Sequence, residues 1–125
     1  MTKKTPWLTF SFYLLPLVWM GVIFYFSHQS VLPGSEVFWQ DFIFKKTAHI
    51  GVYMVLAWSW FLTLTKTNLR QIKHRYLWIF LFCFIFALSD EWHQSFIPGR
   101  TATFRDIGFD SLGIIIALLW SYRVI

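Results

Sequence analysis

Four long apolar runs, at residues 7–26, 47–65, 76–96 and 104–122, decide what this chain can fold into. At 1.5 Å per helical residue, each approaches or reaches the ~20 residues that cross roughly 30 Å of hydrocarbon. The composition agrees. With 57% hydrophobic, 22% aromatic and only 14% charged residues among 125, the chain lacks the polar surface of a soluble globule of its size. The expected class is all-α: an integral membrane bundle of four antiparallel transmembrane helices. Residues 1–125 are expected to form a single membrane domain, with no room for a soluble one.

Charge sets the orientation. The net charge of +5 raises a nucleic-acid partner, but no basic helix, aromatic-interleaved patch or zinc spacing supports one, so none is expected. Lys3, Lys4, Lys66, Arg70, Lys73, Arg75 and Arg123 fall on one side of the four spans. Only Lys45, Lys46, Arg100 and Arg105 fall on the other. The positive-inside rule therefore places both termini in the cytoplasm of a multi-pass protein. The start resembles a signal peptide, but its apolar stretch is too long and lacks a small-residue cleavage site, so it reads as an uncleaved first span. Cys83 is the only cysteine and reads as a small packing residue.

Within the spans, Pro16 predicts a kink whose freed carbonyl a neighbouring helix must satisfy. Gly21, Tyr25 and His28 form a stripe that would turn toward a partner helix. Residues 35–44 read as a short helix lying in the interface, after a turn at 31–34. Lys46, His49 and Tyr53 share one helical face, and so do Cys83, Ala87, Asp90 and Gln94. Residues 97–100 form a tight turn between the third and fourth spans. Trp7, Trp78 and Trp120 fit one aromatic belt, and Trp39 and Trp92 the other.

The stretch 89–113 holds four of the six acids, Asp90, Glu91, Asp106 and Asp110, together with Arg100, Arg105, His93 and Gln94. Asp90, Glu91 and Asp110 come out roughly 8–9 Å below the outer boundary, with His49 and Asp106 shallower. Ionisable groups at that depth are a functional-site hypothesis by default. Asp106 and Asp110 are i, i+4 neighbours whose carboxylates repel unless a cation, a proton or an arginine intervenes. Asp106 also reads as part of a capping box with Thr103, and both roles stay open. His49 is either a site residue or an interfacial side chain bonded to Tyr53 or a backbone carbonyl. Arg100 suits a lipid phosphate or a pairing with Asp90 or Glu91. Lys45 and Lys46 balance the two excess negative charges of the hairpin, so charge balance requires no metal. No metal and no cofactor are expected. His28, His74 and His93 read as structural, and no common catalytic motif occurs.

These residues resemble the VanZ-like family of small bacterial membrane proteins. Ser27-His28-Gln29 is similar to the family's Ser-Ser-Gln, with His28 replacing a serine. Lys45-Lys46-Thr47-Ala48-His49 followed by Tyr53 resembles its basic-x-x-His-x-x-x-Tyr segment, with Val52 where members often carry an acid. Asp90-Glu91-Trp92-His93-Gln94, Phe96, Pro98-Gly99-Arg100 and Asp106 match its Asp-Glu-x-x-Gln, Pro-Gly-Arg and Asp pattern. Many members have Asn where Asp110 stands. The resemblance implies a multi-pass protein of the bacterial cytoplasmic membrane. It also implies a link, for the name-giving member, to resistance against the lipid-anchored glycopeptide teicoplanin.

Three functional readings follow. In the first, a non-enzymatic site near the outer leaflet binds an amphiphile, such as a lipid-linked cell-wall intermediate or a lipoglycopeptide, among membrane lipids. Arg100 and Arg105 would meet its anionic groups. Asp90, Glu91, Asp106 and Asp110 would accept hydroxyls or amines, and His49, Tyr53 and Gln94 would supply neutral hydrogen bonds. In the second, a membrane-surface hydrolase or transferase acts on a lipid-linked phosphate or glycan, with His49 or an acid as general base. In the third, the charges form a closed ion network that only fixes helix packing.

Overall fold

The computed structural model describes residues 6–28, 38–99 and 103–124. They form α1 (Pro6–Ser27), α2 (Phe38–Lys66), α3 (Arg75–Gln94) and α4 (Phe104–Val124), with a 3-10 turn at Asn68–Gln71. No strand occurs among the described residues, and all four helices are long and apolar enough to cross a membrane. Lys3, Lys4, Gln29, the turn at 31–34 and Arg100 lie outside the described residues.

The fold is inside-out relative to a water-soluble domain. Trp7, Phe10, Ile85, Trp92, Leu119 and many other large apolar side chains are exposed, whereas Ser59, Thr63, Asp90, Glu91, Gln94, Asp106, Asp110 and Ser121 are buried. An apolar surface of that extent is stable only in contact with lipid or a partner. The membrane thus solvates the outside, and the polar groups must satisfy one another within. All five tryptophans assigned to the aromatic belts are exposed. Cys83 is fully buried in the apolar core, as a packing residue should be.

Two readings of the sequence are corrected. Phe38–Phe44 does not form a separate interfacial helix but is the first part of α2. No Pro or Gly interrupts residues 38–47, and an i, i+4 pair between Lys45 and Asp41 at 2.9 Å supports the continuous helix. Gly21, Tyr25 and His28 are exposed, although His28, just past α1, does reach His93 of α3; Pro16, Ile23 and Ser27 are the buried positions of α1. The added Cβ of an alanine at Gly21 would meet nothing within 4 Å, so none of the described helices packs there.

Polar ties hold α1 to α2 where apolar contact alone gives little preference in a membrane. Trp19 Nε1 donates to the Val52 carbonyl at 2.9 Å. The Thr63 hydroxyl lies 2.5 Å from the carbonyl of Phe12 and 2.9 Å from that of Ser59. Phe12 is four residues before Pro16, so its carbonyl is the one that the proline leaves without an intrahelical donor. A neighbouring helix does supply the missing partner.

α2 and α4 approach each other closely at Gly113. A Cβ added at Gly113 would come within 2.2 Å of the Ile50 carbonyl oxygen, and Ala117 and Ser121 continue this small-residue stripe in buried positions. At one end Lys46 of α2 meets Asp106 of α4, and Ser27 of α1 meets Gln94 of α3. At the other, Tyr76 of α3 packs on Phe61 of α2 and Tyr122 of α4. These contacts are consistent with consecutive helices running in opposite directions.

Gly113→Ala should therefore destabilise the detergent-solubilised protein by about 1–3 kcal/mol through overpacking. Helix propensity alone favours alanine by about 1 kcal/mol. A melting temperature that stays level or rises would contradict the close approach.

Candidate functional site

The helix ends define the site. At the end where α2 and α4 begin and α1 and α3 finish, four helices each contribute a polar residue toward the interior. Regular helical spacing explains the choice. Lys46, His49 and Tyr53 recur at one face of α2, Asp90 and Gln94 at one face of α3, and Asp106 and Asp110 at one face of α4. Each stripe continues below into small or apolar residues, Cys83 and Ala87 on α3 and Gly113 and Ala117 on α4, so packing of the lower part brings the polar parts together.

Three linked groups result. In the first, Asp90 Oδ2 accepts from Gln94 Nε2 at 3.1 Å and from the Tyr53 hydroxyl at 3.4 Å. Gln94 Nε2 also donates to Ser27 Oγ at 3.1 Å, which ties α1 into the network. In the second, Lys46 Nζ forms an ion pair with Asp106 while lying 5.4 Å from the ring centre of Phe42 and 5.7 Å from that of Phe109. Two aromatic faces thus hold the ammonium against the carboxylate. The backbone N–H of Asp106 donates to the Thr103 carbonyl at 3.0 Å, so this residue both belongs to the first turn of α4 and places its carboxylate in the site.

The third group holds the most deeply buried of the acids. His49 Nδ1 lies 2.7 Å from Asp110 Oδ1, and Asp110 is fully buried. Glu91 comes from α3 to join them: one ligating atom from each of His49, Glu91 and Asp110 falls within 4.8 Å of the other two. Neither Glu91 oxygen, nor Oδ2 of Asp110, has a hydrogen-bond partner among the described residues.

A cavity of about 410 Å³ opens beside these groups. Five of the sequence-derived candidates line it: His49, Tyr53, Asp90, Gln94 and Asp106. Lys45, Lys46 and Ser27 join them, and Trp19, Ile23, Phe26, Phe44 and Val52 supply apolar wall. Glu91 and Asp110 do not line the cavity but lie against His49, which does. Arg105 is exposed at the start of α4 and lines no part of it, and Arg100 lies outside the described residues. Lys45 bonds to Asp41 rather than to an acid of the 89–113 stretch, so it does not supply the counter-charge counted from the sequence.

Beyond the polar cavity, a second and mainly apolar one of about 470 Å³ lies between α1 and α2, lined by Ser11, Leu14, Leu15, Val18, Trp19, Val55, Trp58 and Ser59. Trp19 lines both. The sequence reading gave Trp19 no role, yet its place in mid-span, away from both aromatic belts, was a usable signal. Ser27 also went unused as a site residue, although it stands at the head of the Ser-His-Gln segment. At the exposed rim, His28 Nδ1 and His93 Nε2 lie 3.3 Å apart, with Phe24 packed on His93.

A family model described as VanZ/LLP1 matches residues 10–125. No curated protein and no solved structure matches the chain.

The Lys46–Asp106 pair gives a direct test of how closed the polar end is. Lys46→Met alone should cost more stability than Lys46→Met combined with Asp106→Asn, by about 1–2 kcal/mol, because the single change strands a buried carboxylate. Strictly additive melting shifts in such a double-mutant cycle would show that the two groups do not depend on each other.

Proposed function

The chain belongs to the VanZ/LLP1 family, and from that premise we propose that it is a membrane protein that binds one amphiphile, head group in the polar cavity and chain along the groove between α1 and α2. One observation carries this reading: Trp19 lines both the polar and the apolar cavity, so the two lie next to each other and a ligand spanning them would pass this side chain. From His49 to Ser59 is ten residues of α2, about 15 Å, which matches a chain of roughly a dozen carbons. The head-group end mixes donors and acceptors: Lys46, Gln94 and Tyr53 beside Asp90 and Asp106. That mixture favours a head rich in hydroxyls, with phosphate within reach of the lysines, over a simple anion. A lipid-linked cell-wall intermediate and a lipoglycopeptide both have this chemistry. A link to teicoplanin-type resistance enters through the family alone.

The site belongs, in this proposal, to the outer leaflet of the bacterial cytoplasmic membrane, with both termini inside. The lysine and arginine distribution supports it. One specific observation favours a second reading, a membrane-surface hydrolase or transferase. His49 lines the cavity while Asp110 holds its ring, as an oriented general base requires.

Native mass spectrometry of the purified protein should find one retained amphiphile per chain. Val55→Trp, which fills the apolar groove, should reduce its retention about tenfold without lowering the melting temperature. No retained lipid, together with unchanged lipoglycopeptide sensitivity in a deletion strain, would count against binding. In a Cys83→Ala background, a cysteine at position 125 should react with a membrane-impermeant thiol reagent only after the cells are opened. Labelling of intact cells would reverse the orientation. For the enzymatic reading, phosphate release from a polyprenyl diphosphate must appear and must be lost in Asp110→Asn; turnover that survives the substitution removes the acid-base role.

A further inference from the structure

We propose that His49, Glu91 and Asp110 form a binding site for one divalent transition-metal ion. Four carboxylates gather at the polar end, where Lys46 pairs with Asp106 and the His49 imidazole with Asp110. Lys45 is taken up by Asp41, and Arg105 is exposed at the start of α4. With Asp106 held by Lys46 and Asp90 bonded by Gln94 and Tyr53, Glu91 and Asp110 remain, facing one imidazole.

The second observation is the state of their oxygens. Glu91 is only 5% exposed, yet neither of its carboxylate oxygens meets a donor among the described residues, and Asp110 Oδ2 is likewise unpartnered at 0% exposure. Burying such oxygens without a donor costs several kcal/mol for each charged group. A cation placed among them satisfies all three at once.

Geometry and donor chemistry select the kind of cation. One imidazole nitrogen and two carboxylates suit zinc or manganese, whereas calcium takes six to eight oxygens and magnesium keeps several waters. Two ligands of one ion, each bound at about 2.1 Å, sit roughly 3 Å apart. The 2.7 Å between His49 Nδ1 and Asp110 Oδ1 is a hydrogen bond, shorter than that spacing, so an entering ion would displace the proton between them and part the two atoms by about half an ångström. Glu91 offers a carboxylate oxygen within 4.8 Å of the other two ligand atoms. Three protein ligands leave at least one coordination position for water or a ligand group, the pattern of open rather than purely structural zinc sites. Because each ligand comes from a different helix of α2, α3 and α4, the ion would also pin the three together.

The site stands independently of the amphiphile reading, and its test uses the metal alone. Chelator-treated, purified full-length protein is titrated calorimetrically with Zn²⁺ and with Mn²⁺. One ion per chain is expected, competing for a single site, with affinity falling about tenfold or more in both Glu91→Gln and Asp110→Asn. Asp41→Asn, outside the cluster, should bind as the parent does. Zn²⁺ should raise the melting temperature of the parent and of Asp41→Asn but not of the two cluster variants. No binding by the parent, or binding unchanged in both cluster variants, overturns the proposal. If those variants fail to fold, the zinc X-ray absorption spectrum of the parent decides. A single imidazole among nitrogen and oxygen ligands supports the site, and sulfur from Cys83 overturns it.

Discussion

The polar end depends on how closely α4 can approach α2. At Gly113 the absent side chain leaves room for the Ile50 carbonyl, and nothing larger than hydrogen fits between. His49 directly precedes Ile50, and Asp110 lies one helical turn before Gly113. Bringing the two backbones together at that point therefore puts an imidazole and a carboxylate within 2.7 Å of each other. In a bilayer, where burying apolar side chains scarcely favours one helix pair over another, such small-residue contacts and the polar pairs above them decide which helices meet. The packing and the site are two consequences of one approach.

From that contact the remaining polar residues fall into place by helical periodicity. Tyr53 lies one turn below His49 on the same face and reaches Asp90. Gln94, one turn above Asp90, reaches Ser27 and closes α1 over the cavity. Trp19, two turns below Ser27, is pinned to the Val52 carbonyl and lines both the polar cavity and the apolar groove. Charge, hydrogen bonding and hydrophobicity thus change in order along one axis, from Lys46 at the rim to Leu14 and Val55 in the groove. That order is what an amphiphile would match.

Much of this was legible in the residues, and the failures have physical causes. The acids and histidine of α2, α3 and α4 stand out because polar groups are rare in those helices, so i, i+3 and i+4 spacing assigns their faces directly. The inward face of α1 could not be found that way. Its residues are apolar nearly all round, and a lone glycine at position 21 marks no interface without small neighbours opposite. The start of α2 was missed because alternation of charge and apolar bulk in residues 38–44 describes an interfacial helix and an extended span equally well. Lys45 and Lys46 project about 100° apart on the helix. Only the tertiary contact shows that Lys46 turns to Asp106 while Lys45 turns to Asp41.

The convergence of α2 and α4 can be measured without reference to any ligand. In a Cys83→Ala background, His49→Cys is paired with Asp110→Cys and, as a control, with lipid-facing Ile115→Cys. A short thiol-to-thiol cross-linker is applied in native membranes, and linked peptides are identified by mass spectrometry. The account expects the 49–110 link to form readily and the 49–115 link to be absent. Equal linking of the two pairs, or no 49–110 link at all, would contradict it.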